Sequence, residues 1–185
     1  MQLGKVAFGA LARRKSMQRL VTPSAQLAVR GLLTIHSAPS ALRRHIDWAI
    51  QNIVGADTQL NWLPQPMMVG TFKTKCQWNG RGGSAAEIAS TLRSWHYLNF
   101  EVQEGNENGG ELFRFTPELG IHRAVTDPSG GALLNEFAIN NVMLNAFDED
   151  SMREGFALAM GTAWDSQLEK FRGAGMAEVA RLHAI

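Results

Sequence analysis

Residues 71–95, TFKTKCQWNGRGGSAAEIASTLRSW, decide the fold of this chain. In their first part, apolar or small side chains alternate with polar ones, which predicts a strand with one buried face. The buried positions of this strand are Phe72, Thr74, Cys76 and Trp78. In their last part, apolar residues recur every three or four positions, which predicts an amphipathic helix. Glycines supply the turn between them, and Ser84 followed by Glu87 has the spacing of a capping box at a helix start.

The residues before this stretch predict another strand and another helix. Residues 32–35 form a short apolar run, typical of a buried strand, which ends at His36. Ser37 is the expected N-cap of the following helix, and Gly55 is its expected C-terminal stop. Residues 58–63 predict a further strand before the prolines that follow.

The residues after this stretch predict more strands and then helices. Residues 99–103 predict a fourth strand, and a turn-rich loop links it to an apolar run at 112–115. Another strand or two is expected within 121–134, and helices are expected around 136–147 and 150–160. Asp148 and Asp150 are interpreted as capping this last helix. Trp164, Leu168 and Phe171 predict a final short helix that ends before Gly173 and Gly175.

The order of these elements predicts an α+β fold with a ferredoxin-like βαββαβ core. We expect an antiparallel sheet with both helices on one face, extended by one or two further strands and C-terminal helices. The core would span residues 31–104 and the strand and helix extension residues 105–185, together one domain. Residues 1–30 would form a separate N-terminal arm, and another layer should cover the second face of the sheet.

Composition and charge restrict the classes of protein that fit. Apolar residues make up 45% of the 185, as in ordinary globular proteins, and no apolar run approaches the roughly 20 residues of a membrane span. The single cysteine, Cys76, cannot form an internal disulfide, so a cytoplasmic location is expected. Eight basic residues and no acid precede Asp47, whereas ten basic and 17 acidic residues follow, a net charge of −7.

The basic arm is the expected contact with a partner. The candidate partner-binding residues are Lys5, Arg13, Arg14, Lys15 and Arg19 in the arm, and Trp62 beside two prolines. A basic end can meet an acidic protein, a membrane surface or the acidic body of another copy. A floppy solvated tail is the competing interpretation, and Met17 is an alternative start. Nucleic-acid binding is not expected, because the aromatic residues lie mostly in the acidic part.

No residue pattern has the spacing of a catalytic or metal site. The five histidines lack two-ligand helical spacing, so neither a metal nor a cofactor is predicted. Ser37 beside His36 and Ser94 near His96 lack a third orienting group, so no catalytic residue is assigned. A small ligand could still bind at the sheet. The candidate ligand-binding residues are His36, Arg43, Trp95, His96, His122, Arg123 and Asp127.

Four segments carry a resemblance to a known family. They are GLLTIHSAPSALRRHIDWAI, WNGRGGSAAEIASTLRSWHYLNFEV, ELFRFTPELGIHRAVTDPSGG and AWDSQLEKFRGAG. In these the chain resembles an actinobacterial family of uncharacterised proteins, Domain of Unknown Function 3145. Members begin near the equivalent of Gly31, so the arm is a departure. Some members lie beside genes for fatty-acid synthesis, which implies an accessory role there.

Three functional hypotheses follow. The first is a non-catalytic accessory or interaction protein that docks through its basic arm onto a larger assembly, a multi-subunit enzyme complex of fatty-acid or acyl-CoA metabolism. The second is a small-ligand-binding regulatory domain or enzyme with a site near His36, His96 and His122. The third is attachment of residues 1–16 to a membrane surface. A homo-oligomer is compatible with each.

Overall fold

The computed structural model describes residues 28–182, with side chains for residues 28–173. The strands in this part are β1 (Ala28–Pro39), β2 (Leu63–Pro64), β3 (Thr71–Arg81), β4 (Asn99–Asn106), β5 (Gly109–Thr116), β6 (Gly120–Thr126) and β7 (Ala132–Leu133). The helices are α1 (Arg43–Val54), α2 (Ser84–Leu92), α3 (Glu136–Asn145), α4 (Glu149–Met160) and α5 (Thr162–Leu182). The seven strands form one antiparallel sheet in the order β2-β3-β1-β4-β5-β6-β7. The predicted mixed α+β architecture is confirmed.

Helices α1 and α2 cover one face of the sheet, as their apolar spacing predicts. Ile46 on α1 and Ile88 and Leu92 on α2 are fully buried. They share one apolar core with Phe100 and Val102, which alternate with polar residues along β4. Trp78 on β3 also lies in this core, as predicted.

Helix α5 packs on the opposite face and supplies the second layer. Leu168 is fully buried and Trp164 nearly so, and neither belongs to the core under α1 and α2. The Trp164 indole Nε1 donates to the Gly120 carbonyl at 2.9 Å, which fixes the start of α5 against β6. The sheet is therefore buried on both faces where α5 crosses it.

Several predicted boundaries before β3 are wrong. The expected strand at 58–63 is only the two-residue β2, because prolines and exposed polar residues limit its pairing with β3. Strand β1 begins at Ala28, inside the predicted arm, and runs to Pro39, so Ser37 is a buried strand residue and not a helix cap. A short 3₁₀ turn, Ser40–Leu42, then leads into α1. Gly55 does end α1, with a φ of +117°.

The predicted capping box of α2 is also wrong. Gly83 is the N-cap, and the Ser84 hydroxyl makes no cap hydrogen bond. Instead the Glu104 carboxylate on β4 accepts from the Gly83 and Ala85 amides at 2.7 and 2.8 Å. A negative charge at this position also interacts favourably with the helix dipole. A residue from the neighbouring strand thus caps the helix, and Glu87 pairs with Arg81 in solvent.

The extension has more strand and more helix than predicted. Three strands follow β4, although β7 has only two residues. The Asp148 side chain caps α4 in a capping box with Ser151, which agrees with the capping interpretation. Helix α5 continues through Gly173 to Leu182, so the prediction of a short final helix was wrong. A glycine costs a helix only about 1 kcal/mol relative to alanine, too little to end it. Within residues 28–182 no helix is long and apolar enough to cross a membrane.

Candidate functional site

A cluster of ionisable side chains lies between the sheet and α5. We call it the Glu101 cluster; its members are His36 on β1, Glu101 on β4, Arg114 on β5, and Asp165 and Arg172 on α5. His36 Nε2 lies 2.6 Å from Glu101 Oε1. Arg172 donates to both Glu101 oxygens, from Nε at 3.1 Å and from Nη2 at 2.7 Å. Arg172 Nη1 also donates to Asp165 at 2.9 Å, so the cluster joins the sheet to the helix.

Side chains along β4 alternate between the two faces of the sheet, and this alternation places Glu101 on the face toward α5. Phe100 and Val102 point into the core under α1 and α2, so Glu101 between them points toward α5. Arg114 stands directly opposite Glu101 on β5, and His122 stands opposite Arg114 on β6. A row of polar side chains therefore crosses neighbouring strands beneath one helix.

The electrostatics of the cluster favour a Glu101 carboxylate that is charged at neutral pH. Burial alone would raise the pKa of Glu101, but hydrogen bonds from His36 and Arg172, together with their electrostatic interactions, lower that pKa to about 2. Burial would lower the pKa of Arg172, and its hydrogen bonds to Glu101 and Glu169 raise it above the ordinary value. At neutral pH this ion pair is fully formed.

His122 has a different environment from His36. Burial lowers the pKa of His122, the Ala159 carbonyl opposes this by raising it, and the Arg114 charge lowers it further. Its Nε2 lies 3.2 Å from the Ala159 carbonyl oxygen, so the neutral ring carries its proton there. The Trp164 ring lies 4.9 Å from the imidazole. His122 therefore packs as a neutral ring between β6 and the helices.

The space beside the Glu101 cluster is small. A cavity of about 230 Å³ borders His36, Glu101 and Arg172, with Lys75 at its rim. Sites for small organic ligands usually measure about 300–1,000 Å³. The carboxylate and guanidinium at this cavity already bind each other. The arrangement is suited to holding α5 on the sheet, and it lacks an activated nucleophile.

The seven predicted ligand-binding residues do not share one pocket. His36 and His122 lie on the α5 side of the sheet, linked through Glu101 and Arg114. The other five lie elsewhere. Arg43 stacks on the Phe72 ring on the α1 side, Trp95 packs on the core there, His96 is exposed after α2, Arg123 pairs with Glu111, and Asp127 caps a turn.

A larger cleft of about 870 Å³ lies at the end of the sheet where β1 begins. Its charged lining residues include Arg30, Glu104 and Asp127. Glu104 already caps α2, and Asp127 Oδ1 accepts from the Ser129 and Gly131 amides of its own turn. The two carboxylates therefore stabilise the fold, and the cleft does not bring catalytic groups together.

The predicted partner-binding residues of the arm lie outside the described part of the chain; they are Lys5, Arg13, Arg14, Lys15 and Arg19. Trp62 is described. It is half-buried and packs against the core, and its Nε1 donates to Asp47 Oδ1 at 2.8 Å. Trp62 thus has an intramolecular role.

Sequence patterns did not indicate the residues that complete the Glu101 cluster, namely Glu101, Arg114, Asp165 and Arg172. The signal that could have found Glu101 is a lone acid between two apolar strand residues. Arg172 directly follows Phe171, the last residue of the apolar stripe in α5, which places it beside the buried face.

An exposed apolar surface lies on α3, on α4 and on the linker between them. We call it the α3–α4 surface; its members are Phe137, Met143, Leu144, Phe147 and Leu158, which are between 59% and 87% exposed. The two helices pack on each other where Val142 meets Gly155, which leaves these five side chains outside that contact. The segment that carries them, residues 136–160, also contains five exposed acids and one base, and we call these acids the acidic rim.

Among the described residues, no group of three or more His, Cys, Asp or Glu side chains could hold a metal ion. Cys76 lies buried on the core side of β3, where burial raises the pKa of its thiol. A thiol in this environment is unreactive packing.

The sequence of the chain matches the model of a known protein family. The family model described as "Protein of unknown function (DUF3145)" matches residues 32–184. This match covers most of the 185 residues, so the chain belongs to that family. No curated protein and no solved structure matches the chain.

Proposed function

We propose that this protein is a non-catalytic interaction protein that docks onto a larger assembly through the α3–α4 surface. The observation that carries the proposal is the exposure of five large apolar side chains on two adjacent helices and the linker between them. Apolar patches rimmed by polar residues are typical of protein interfaces. The acidic rim calls for a protein partner whose docking segment has an apolar centre and basic flanks.

The Glu101 cluster supports a non-catalytic role. Its His, carboxylate and guanidinium groups are hydrogen-bonded to one another and hold α5 on the sheet. A general base or nucleophile needs a site beside it for a reacting atom. We therefore assign neither a catalytic residue nor a cofactor.

The proposed assembly is a multi-subunit enzyme complex of fatty-acid or acyl-CoA metabolism in the cytoplasm. This part of the proposal rests on the family resemblance and its implied place beside fatty-acid synthesis. The docking role predicted for the basic arm stays a prediction.

The finer fold assignment is also a proposal. We infer a ferredoxin-like core in residues 28–106, supported by the strand order β2-β3-β1-β4 and by α1 and α2 on one face. Ferredoxin-like domains serve many functions, so this assignment does not select one.

The alternative, a ligand-binding domain or enzyme near His36, His96 and His122, has less support. His96 lies on the exposed loop after α2, away from the face that carries His36 and His122. The cavity at His36 is below the usual size of ligand sites.

The test is quantitative capture of partners from extracts of the native host. Tagged wild-type chain is compared with Leu144→Glu/Phe147→Ser, and with the control Trp48→Ser/Tyr97→Ser, which removes exposed aromatic side chains near α1 and α2. We expect the wild type and the control to retain one set of partner subunits, in constant ratio, that the α3–α4 variant loses. Equal recovery by all three chains, or recovery of bait alone, would overturn the proposal.

A further inference from the structure

The α3–α4 surface combines apolar side chains with an acidic rim. Phe137 and Leu144 are seven residues apart on α3, which puts them on one helix face two turns apart. The rim is formed by exposed acids: Glu136, Asp148, Glu149, Asp150 and Glu154. Arg153 is the single basic residue within 136–160, so this region has a net charge of −4.

The N-terminal arm has the opposite character. Residues 1–27 contain five basic residues and no acid, a net charge of +5. Five of the apolar residues in this segment have helical spacing: Leu3, Val6, Ala7, Ala10 and Leu11. The sequence of the arm therefore combines an apolar stripe with basic residues, which complements the α3–α4 surface in both respects.

The end of the arm is anchored close enough to reach this surface. Strand pairing puts the start of β1 and the end of β6 at one end of the sheet, through the pairs Arg30↔Gly105, Gly110↔Thr126 and Thr126↔Ala132. The start of β1 and β7 are four strand positions apart, about 19 Å at the usual spacing. Residues 20–27 can span about 26 Å when extended, and α3 begins soon after β7.

We propose that residues 3–19 of the arm bind the α3–α4 surface of their own chain. The apolar stripe covers Phe137, Leu144 and Phe147, while the basic residues face the acidic rim. This inference rests on the proposed function because it assigns a regulatory occupant to the same docking surface. Attachment to β1 keeps the arm at a local concentration in the millimolar range, so a partner binds only by displacing it.

The experiment uses the full chain and no partner. A nitroxide is attached to a cysteine introduced by Ser16→Cys, which lies outside the apolar stripe and is not one of the basic residues. The native Cys76 stays unlabelled because it is buried. The ¹H–¹⁵N spectrum is recorded with the label oxidised and then reduced. We expect loss of amide signal within 136–160 and none within α1, and we expect high salt to reduce the loss. Equal or absent loss in the two regions overturns the proposal.

Two further samples separate the other occupants. In the first sample, spin-labelled chain with natural-abundance nitrogen is mixed with ¹⁵N-labelled chain that carries no nitroxide. If the signal loss in this mixture is as strong as within one chain, the arm binds the surface of a second copy, and the intramolecular proposal is overturned. Arg13→Glu/Arg14→Glu/Lys15→Glu should restore the signals, whereas retention of the loss would contradict the charge argument. No partner is present in these samples. A negative result therefore overturns only the binding of the arm to its own chain, and the capture experiment tests the proposed function separately.

Discussion

The Arg172 guanidinium on α5 holds both carboxylate oxygens of Glu101 on β4, with Nε 3.1 Å from Oε1 and Nη2 2.7 Å from Oε2. The two residues are 71 positions apart in the sequence. Both oxygens are bound in parallel, the strongest geometry available to an arginine and a carboxylate. His36 on β1 binds the same carboxylate, so three distant segments depend on one side chain.

Replacement of Glu101 by glutamine should destabilise the protein. The change leaves the positive charge of Arg172 beside a neutral amide, and we expect the free energy of unfolding to fall by about 2–3 kcal/mol. Urea unfolding followed by circular dichroism measures this loss. Glu107→Gln is the matched control in the exposed β4–β5 turn and should change the stability by less than about 0.5 kcal/mol. Equal effects of the two substitutions would contradict the importance of the cluster.

The stabilisation from Glu101 should depend on pH below 5. The folded-state pKa of about 2 lies below the ordinary 4.5, so the unfolded chain takes up this proton first as pH falls. The contribution is therefore fully present above pH 4.5 and is lost as pH decreases toward 2, with an upper limit of about 3 kcal/mol. Unfolding experiments at several pH values should show the difference between wild type and Glu101→Gln shrinking over this range. A difference that stays constant to pH 2.5 would contradict it.

Local patterns were sufficient to predict most of the elements. Ile46, Ile88 and Leu92 have the helical spacing that places α1 and α2 on the core, and all three are fully buried. The alternation in residues 72–78 likewise predicts the buried side of β3. These patterns depend on neighbours within two turns or a few strand positions, so one sequence contains all the information they require.

These local patterns could not predict which residues pair over long sequence distances. Ser84 and Glu87 match a capping box, yet Glu104 supplies the cap because pairing of β1 with both β3 and β4 brings it beside the start of α2. The partner of His36 is likewise 65 residues away. Which acid meets which base depends on strand register and on the path of α5, and neither follows from local spacing.

The cap of α2 gives a test of which carboxylate holds the helix. Glu104→Gln removes the charge that accepts from the Gly83 and Ala85 amides, and we expect a loss of about 1–2 kcal/mol in the free energy of unfolding. Glu87→Gln disrupts only an exposed pair with Arg81 and should cost less than about 0.5 kcal/mol. Thermal unfolding of the two variants at neutral pH would compare them. If the capping box indicated by the sequence held the helix, Glu87→Gln would lower the free energy of unfolding more than Glu104→Gln.

Gly161, between α4 and α5, should not tolerate a side chain. Its φ of +72° is left-handed, which costs other residues about 1–2 kcal/mol, and an added Cβ would lie 2.5 Å from Cε1 of His122. We expect Gly161→Ala to lower the free energy of unfolding by about 2–4 kcal/mol, since the His122 ring is held by Trp164 and the Ala159 carbonyl. Gly173→Ala on α5 is the control: it has open space around it and should raise helix stability by up to about 1 kcal/mol. Chemical denaturation measures both changes, and a neutral Gly161→Ala would show that the ring and the α4–α5 junction can move apart at no cost.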